Sequence, residues 1–153
     1  MPKLDLQSIP KRRGSDYPPP FDREPAKRVR QRLGDAGGLT QFGVNLMHLP
    51  PGSWSSQRHW HSDEDEFVFV VSGEVALVTD SGEEVLHAGD CAAFPRSAAN
   101  GHHLVNRSAT TVVCLEVGAR LATDVTVYSD IDMVFDPKLD GYAHKDGRRY
   151  PPR

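Results

Sequence analysis

The chain has 153 residues and a mass of 16.9 kDa, which suits a single domain with a core of its own. Its hydrophobic content of 38% and charged content of 25% are typical of globular proteins. No apolar run is long enough to span a membrane, and residues 1–20 lack the apolar region of a signal peptide. A membrane protein and a secreted precursor are therefore not expected.

The formal net charge of −3 is unevenly distributed along the chain. Residues 1–33 hold nine Lys/Arg and four Asp/Glu, a balance of +5, whereas residues 34–153 hold nine and seventeen, a balance of −8. A basic segment of this kind could bind nucleic acid, but no recognition motif accompanies it. We expect it instead to lie on an acidic surface of its own or a neighbouring subunit.

Residues 1–38 are predicted to form a basic, Pro-rich N-terminal arm. The run YPPPF at 17–21 excludes helix and strand ladders alike. The segment AKRVRQRL at 26–33 predicts a short helix, which the glycines of GDAGG would end.

Residues 39–130 have the pattern of short strands separated by turns. Asp80-Ser81-Gly82 predicts a hairpin, and no helical pattern interrupts the series. The predicted strands cover residues 40–49, 66–72, 74–79, 83–89, 91–95, 102–106, 110–118 and 124–130. Such a series is typical of an all-β sandwich or barrel, and most simply of a jelly roll. The polar, turn-rich residues 131–153 are predicted to be an extended tail.

Two cysteines, Cys91 and Cys114, lie apart in the sequence and form no CxxC pair. We expect both to be buried free thiols of a cytoplasmic protein rather than a disulfide.

The stretch RHWHSDEDEF at 58–67 places many ionisable side chains directly before an apolar strand. On a strand His59 and His61 point to the same face, and Glu66 follows where the next strand becomes buried. A buried carboxylate is unfavourable unless something compensates its charge. Imidazoles and a carboxylate are suitable ligands for a divalent transition metal, and HHLVN at 102–106 offers a further histidine.

These residues resemble the first motif of the cupin superfamily, G-x5-H-x-H-x(3,4)-E-x6-G. The matching residues are Gly52, His59, His61, Glu66 and Gly73. Six residues rather than five separate Gly52 from His59, and the rest of the motif fits fully.

The second cupin motif, G-x5-P-x-G-x2-H-x3-N, is matched with two departures. Ser97 stands where the motif has its central glycine, and the loop SAANG is two residues longer than the pattern. The matching residues are Gly89, Pro95, His102 and Asn106.

Together with YPPPF and neighbouring segments, the motifs make the chain similar to small single-domain bacterial cupins of unassigned activity. The resemblance implies a cupin double-stranded β-helix, a jelly-roll barrel over residues 39–130, and often a homodimer. It also implies one divalent transition metal (zinc, iron, manganese or nickel would suit) held by His59, His61, Glu66 and His102. His103 stays the alternative to His102 as a ligand, and Glu64 or Asp65 the alternative to Glu66. The acidic turn Asp63–Asp65 is otherwise expected to be solvated.

A site of this kind favours a metal-dependent enzyme of isomerase, lyase or dioxygenase type. Its substrate would be a small polar carbonyl or carboxylate compound. No general base can be assigned from the sequence, and no tyrosine lies near the motif, where Phe67 follows Glu66. The alternative is a metal-containing binding or sensor protein without catalysis. In a third hypothesis the metal only stabilises the fold, but the full ligand set argues against it.

Overall fold

The computed structural model describes residues 2–152, and its regular elements are almost all strands. In chain order the elements are β1 (Lys11–Arg13), β2 (Val29–Arg32), the one-turn helix α1 (Leu33–Ala36), β3 (Phe42–Leu49), β4 (His59–His61), β5 (Glu66–Ser72), β6 (Glu74–Thr79), β7 (Gly82–His87), β8 (Cys91–Phe94), β9 (His103–Val105), β10 (Val112–Ala119), β11 (Thr126–Tyr128), β12 (Val134–Asp136), a 3₁₀ helix (Pro137–Leu139) and β13 (Gly141–Ala143). The all-β class predicted from the sequence is confirmed.

The strands form three antiparallel sheets. The largest has the order β1-β2-β3-β10-β5-β8, the second β13-β12-β11-β4, and the third β7-β6-β9. The predicted hairpin joins β6 to β7, where Thr79 pairs with Gly82 and Gly82 has a φ of 115°. Glycine suits that turn because it enters the left-handed region without steric cost.

The apolar core lies between the six-stranded and three-stranded sheets. Strand β5 shows why, since Val68 and Val70 are buried while Phe67 and Phe69 between and beside them are exposed. This alternation is the period of a strand that faces a core on one side. The core cluster comprises Met47, Leu49, Val68, Val70, Val75, Leu77, Leu86, Leu104, Val112 and Cys114.

A second cluster packs residues close to both chain ends against the four-stranded sheet. Tyr17 contacts the ring of Tyr128 on β11, with centroids 5.5 Å apart, and the ring of Tyr142 on β13 at 5.6 Å. Met133 is fully buried beside them. The segment that precedes β2 is therefore fixed to the barrel by aromatic packing.

Residues 26–33 do not form the predicted helix. Val29–Arg32 is strand β2, whose residues pair with His48–Asn45 of β3, and α1 begins only at Leu33. Hydrogen bonding to β3 across the sheet outweighs the local helical propensity of the segment.

The division into arm, barrel and tail stays a prediction, and the strand pairing bears on it. Strands β1 and β2 precede residue 39 in the chain but belong to the six-stranded sheet. After residue 130, β12 pairs with β11, and β13 pairs with β12. Both ends of the chain thus contribute strands to the sheets.

The expectation of two buried thiols is wrong for Cys91. Cys114 is buried on β10, whereas Cys91 is exposed on the edge strand β8, whose burial alternates along the strand. No helix within residues 2–152 has the length and apolar character needed to cross a membrane.

Candidate metal centre

Strand β4 holds two histidines on one face of the four-stranded sheet. It pairs with β11, where His59 lies opposite Tyr128 and His61 opposite Thr126. The alternation of the strand turns the two imidazoles to the same side, with ring centroids 5.0 Å apart. Glu66 faces them from the first position of β5.

Three imidazole Nε2 atoms converge on the carboxylate of Glu66. His102 Nε2 lies 2.8 Å from Oε2, His61 Nε2 lies 3.3 Å from Oε1, and His59 Nε2 lies 3.5 Å from Oε2. The ligand atoms of His59, His61 and Glu66 lie within 4.8 Å of one another. Ligands bound at about 2.1 Å and at right angles would stand about 3 Å apart, so these separations suit one ion.

The structure separates the two adjacent histidines, His102 and His103. The backbones of His59 and His102 exchange hydrogen bonds of 3.1 and 2.9 Å, and the His102 ring stacks on Phe94 with centroids 3.6 Å apart. His103 turns the other way, where its Nδ1 donates to the Ser56 carbonyl at 2.9 Å. The geometry therefore favours His102 as the fourth ligand.

The longer loop of the second motif leads directly to His102 at the metal centre. Ser97, which replaces the motif's glycine, has a φ of 60°, and its backbone N–H donates to the His61 carbonyl at 2.8 Å. The start of the loop is thereby hydrogen-bonded to β4, and His102 follows its end.

Hydrogen bonds at the far ring atoms orient two of the histidines. His59 Nδ1 donates to the Gln57 carbonyl at 2.9 Å, which leaves the Nε2 lone pair facing Glu66. His61 Nδ1 lies 2.7 Å from Oδ2 of Asp124. Such partners fix the tautomer and direction of metal-binding imidazoles.

Asp124 is a functional residue that the sequence reasoning missed. It lies just before β11, is 6% exposed, and its other oxygen accepts the backbone N–H groups of Asp63 and Glu64. One carboxylate therefore holds both His61 and the acidic turn. The nearby group His61, Glu64 and Asp124 could also hold an ion. Hydrogen bonding between His61 and Asp124 accounts for that arrangement more simply.

The acidic turn is less solvated than expected. Glu64 is half-buried, and its Oε1 accepts the Leu121 N–H at 2.7 Å. Asp65 is exposed and accepts the Arg96 N–H at 2.8 Å. Both alternatives to Glu66 thus have other partners, and Glu66 alone meets the three imidazoles.

A buried atom without a partner supports the fit of a metal. His61 Nε2 is buried and has no hydrogen-bond partner among the described residues, although it faces Glu66. Buried polar atoms normally have one, and a metal ion would provide it. His102 Nδ1 is also buried and unpartnered within residues 2–152, so His102 is oriented by its stacking on Phe94.

The charges of the cluster are strongly coupled. Burial alone would raise the pKa of Glu66, but the three facing imidazoles, those of His102, His59 and His61, hold it well below its usual value. Burial lowers the pKa of His61, yet Glu66 and Asp124 outweigh it and raise the pKa to about 9. Burial dominates at His102 and lowers its pKa. The carboxylate attracts positive charge into the cluster, which a proton or a cation can supply.

The cluster opens on a cavity of about 590 Å³. Gly118 lies opposite Glu66 in the pairing of β10 with β5, and its lack of a side chain leaves room beside the carboxylate, since a Cβ there would lie 3.6 Å from Cγ of Glu66. The cavity is also lined by four arginines and three tyrosines: Arg28, Arg30, Arg32, Arg120, Tyr17, Tyr128 and Tyr142. Although no tyrosine lies near the motif in sequence, the fold brings three to the cavity.

The comparisons with known proteins agree with this geometry. The family model described as "Cupin domain" matches residues 45–118. A crystal structure from Silicibacter pomeroyi, described as a sugar phosphate isomerase from a cupin superfamily, is 49% identical. The similarity covers 98% of this chain and 97% of that one, with a TM-score of 0.91. The chain belongs to the cupin superfamily. The cupin barrel implied by the sequence motifs is therefore confirmed.

Two more distant solved structures share the fold. A candidate sugar phosphate isomerase from Acidithiobacillus ferrooxidans is 32% identical over 84% of this cupin and 83% of that chain, with a TM-score of 0.73. A predicted oxalate decarboxylase from Thermotoga maritima is 21% identical over 78% and 99%, with a TM-score of 0.64. The comparison with curated proteins finds no match.

Proposed function

We propose that this cupin is a metal-dependent isomerase that acts on a phosphorylated sugar. The observation that carries the proposal is the convergence of three imidazole Nε2 atoms and Glu66 at the wall of a polar cavity. Two similar cupins, at 49% and 32% identity, are described as sugar phosphate isomerases, the second as a candidate. A sugar phosphate is also a small polar carbonyl compound, the substrate class that the metal site favours.

His59, His61, Glu66 and His102 would hold the ion. A divalent ion in this place would act as a Lewis acid toward the carbonyl and a neighbouring hydroxyl of the sugar. Asp124 and the Gln57 carbonyl keep the Nε2 atoms of His61 and His59 directed at Glu66. The chain itself must then supply the group that moves the proton.

Interconversion of an aldose and a ketose removes a proton from one carbon and returns a proton to its neighbour, so it needs a base at the cavity wall. Glu64 lines the cavity, and burial raises its pKa, which makes the carboxylate a better base. Glu116 also lines it but is held by two hydrogen bonds from Arg30. Glu64 is therefore the proposed base.

The cavity tyrosines Tyr17, Tyr128 and Tyr142 would orient the sugar hydroxyl groups. Burial raises the pKa of Tyr128 well above its usual value, and the ring centroid of Tyr128 lies 5.8 Å from that of His59. Burial also raises the pKa of Tyr142. Both phenols therefore stay protonated and can donate hydrogen bonds to substrate oxygens.

The proposal is tested by incubating the metal-loaded protein with a panel of aldose and ketose phosphates in D₂O. Proton NMR should show interconversion of one pair, with deuterium at the neighbouring carbon that receives the proton. His61→Ala should abolish it, while His87→Ala, at an exposed histidine outside the cavity, should not. A ligand that raises the melting temperature but is recovered unchanged would instead indicate the binding or sensor alternative.

The homodimer stays a prediction. Phe67, Phe69 and Val71 form an exposed apolar row on the outer side of β5, which a second copy of the chain would cover. Sedimentation velocity should give about twice the mass of one chain, and Phe69→Glu should shift it toward the monomer.

A further inference from the structure

Two arginines lie side by side in the wall of the cavity that contains the metal centre. Arg28 directly precedes β2 and is 8% exposed, and Arg30 lies on β2. Both reach the same main-chain carbonyl, that of Ser55: Arg28 through Nη1, and Arg30 through Nη2 at 3.4 Å. The two guanidinium groups are therefore neighbours.

The carboxylates around this pair balance only one of the two charges. Arg30 binds Glu116 with both ends of its guanidinium, Nε to Oε2 at 2.7 Å and Nη2 to Oε1 at 2.6 Å. The hydrogen bonds of Arg28 go to neutral acceptors, the carbonyls of Gly14 (3.0 Å) and Ser55. Within residues 2–152 no carboxylate forms an ion pair with Arg28.

The surroundings of Arg28 disfavour its positive charge. Burial lowers its pKa to about 10, and the neighbouring Arg30 acts in the same direction. The group is nevertheless a cation at neutral pH. A buried cation without a counter-charge is costly, and an anion in the cavity would remove that cost.

Each of the two arginines keeps one amino group available. The hydrogen bonds above use Nε and Nη1 of Arg28 and Nε and Nη2 of Arg30. No hydrogen bond within the described residues uses Arg28 Nη2 or Arg30 Nη1. Both residues line the cavity, and two forked cations suit the oxygen atoms of a phosphate.

The pair and the metal centre line the same cavity. Arg30 reaches Glu116 on β10, the strand next to β5, and Glu66 is the first residue of β5. On the other side, the Ser56 hydroxyl next to Ser55 lies 3.3 Å from His59 Nδ1. An anionic group on the arginines and a carbonyl near Glu66 could therefore belong to one molecule.

We propose that Arg28 and Arg30 form an anion subsite that binds the phosphate group of the substrate. The identity of that substrate rests on the proposed function, whereas the affinity of the subsite for phosphate does not. The other two cavity arginines are less suited. Arg32 and Arg120 share the carboxylate of Asp35, and their side chains are 51% and 39% exposed.

The test is calorimetric titration of the metal-free protein with inorganic phosphate, so that no metal can bind the anion. The wild type should show one saturable site, and Arg28→Lys, which keeps the charge but loses the fork, should weaken binding about tenfold or more. Arg12→Met on β1, an exposed arginine outside the cavity, should bind like the wild type. No saturable binding by the wild type, or equal binding by Arg28→Lys, would overturn the subsite.

Turnover separates this subsite from the proposed reaction. If a sugar phosphate is isomerised, Arg28→Lys should raise its KM by about tenfold with a smaller effect on kcat. Turnover with an unchanged KM would overturn the subsite and leave the isomerase proposal standing. Phosphate binding that depends on Arg28, without turnover of any sugar phosphate, would support the subsite and remove the isomerase.

Discussion

Asp124 accepts a hydrogen bond from His61 over 2.7 Å, although 63 positions separate the two residues in the chain. The same carboxylate holds the backbone of Asp63 and Glu64. A single buried acid thus sets the direction of one proposed ligand and the position of the proposed base.

Asp124→Asn tests this relationship. The amide keeps the size of the side chain but is a poorer acceptor for His61 Nδ1–H, so metal affinity should fall about 10- to 100-fold. Competition with a chelator measures the affinity. Asp136→Asn, which changes a carboxylate of β12 that is not part of the cluster, should leave it unchanged. Equal affinities in both variants would show that Asp124 does not act through His61.

The adjacent histidines provide a matched pair of substitutions. His102→Ala should lose most of the bound metal, because it removes the imidazole nearest to Glu66. His103→Ala should keep the metal and instead lower stability by about 1–3 kcal/mol, since it deletes a buried ring and its bond to Ser56. Metal content and urea unfolding decide between them. The reverse pattern would assign the ligand to His103.

The ion pair of Asp130 with Arg58, outside the metal centre, should make the free energy of unfolding depend on pH. Hydrogen bonds from Arg58, at 2.6 and 2.9 Å, lower the pKa of Asp130 below its usual value. Because the folded pKa is below that of the unfolded chain, the pair stabilises the fold above the usual Asp value. The contribution disappears as the pH falls through the lowered pKa.

Asp130→Asn should therefore be less stable than the wild type at pH 7 by at most about 1 kcal/mol, because the carboxylate is exposed. The difference should shrink in acid. Thermal unfolding from pH 7 to pH 3 measures it, and a difference that stays constant over this range would contradict the assignment to this ion pair.

Gly101 directly precedes His102 at a point where there is no space for a side chain. A Cβ at this position would lie 2.0 Å from Ser129 Oγ and 2.9 Å from its Cβ. Gly101→Ala should therefore destabilise the fold by about 1–3 kcal/mol and weaken metal binding by displacing His102. The double variant Gly101→Ala/Ser129→Gly removes the clashing side chain and should recover part of both losses. No recovery would place the cost elsewhere.

The sequence predicted the central strands because their signals are local. Alternating apolar residues mark β3, β5 and β10, and a turn marks the β6–β7 hairpin. Strands β1, β2, β12 and β13 were not predicted, because their residues show no alternation of apolar and polar side chains. They have no pattern of their own and form only because a neighbouring strand is available to pair with them.

The candidate site divides in the same way. His59, His61 and Glu66 are close in sequence, so their spacing alone indicates a common face. Asp124 and Arg28 reach the site only through the packing of distant segments. An isolated Asp before a strand, or one Arg among many, gives no sequence signal. The choice between His102 and His103 needed the path of the loop before them, which spacing alone did not define.

Elemental analysis of the purified protein, before and after loading with divalent metals, tests the central claim most directly. The group His59, His61 and Glu66, with His102 in contact with Glu66, predicts about one transition-metal ion per chain in the wild type and loss of that ion in Glu66→Gln, with the fold retained in circular dichroism. A wild-type protein that contains no stoichiometric metal and cannot be loaded with one would contradict the account.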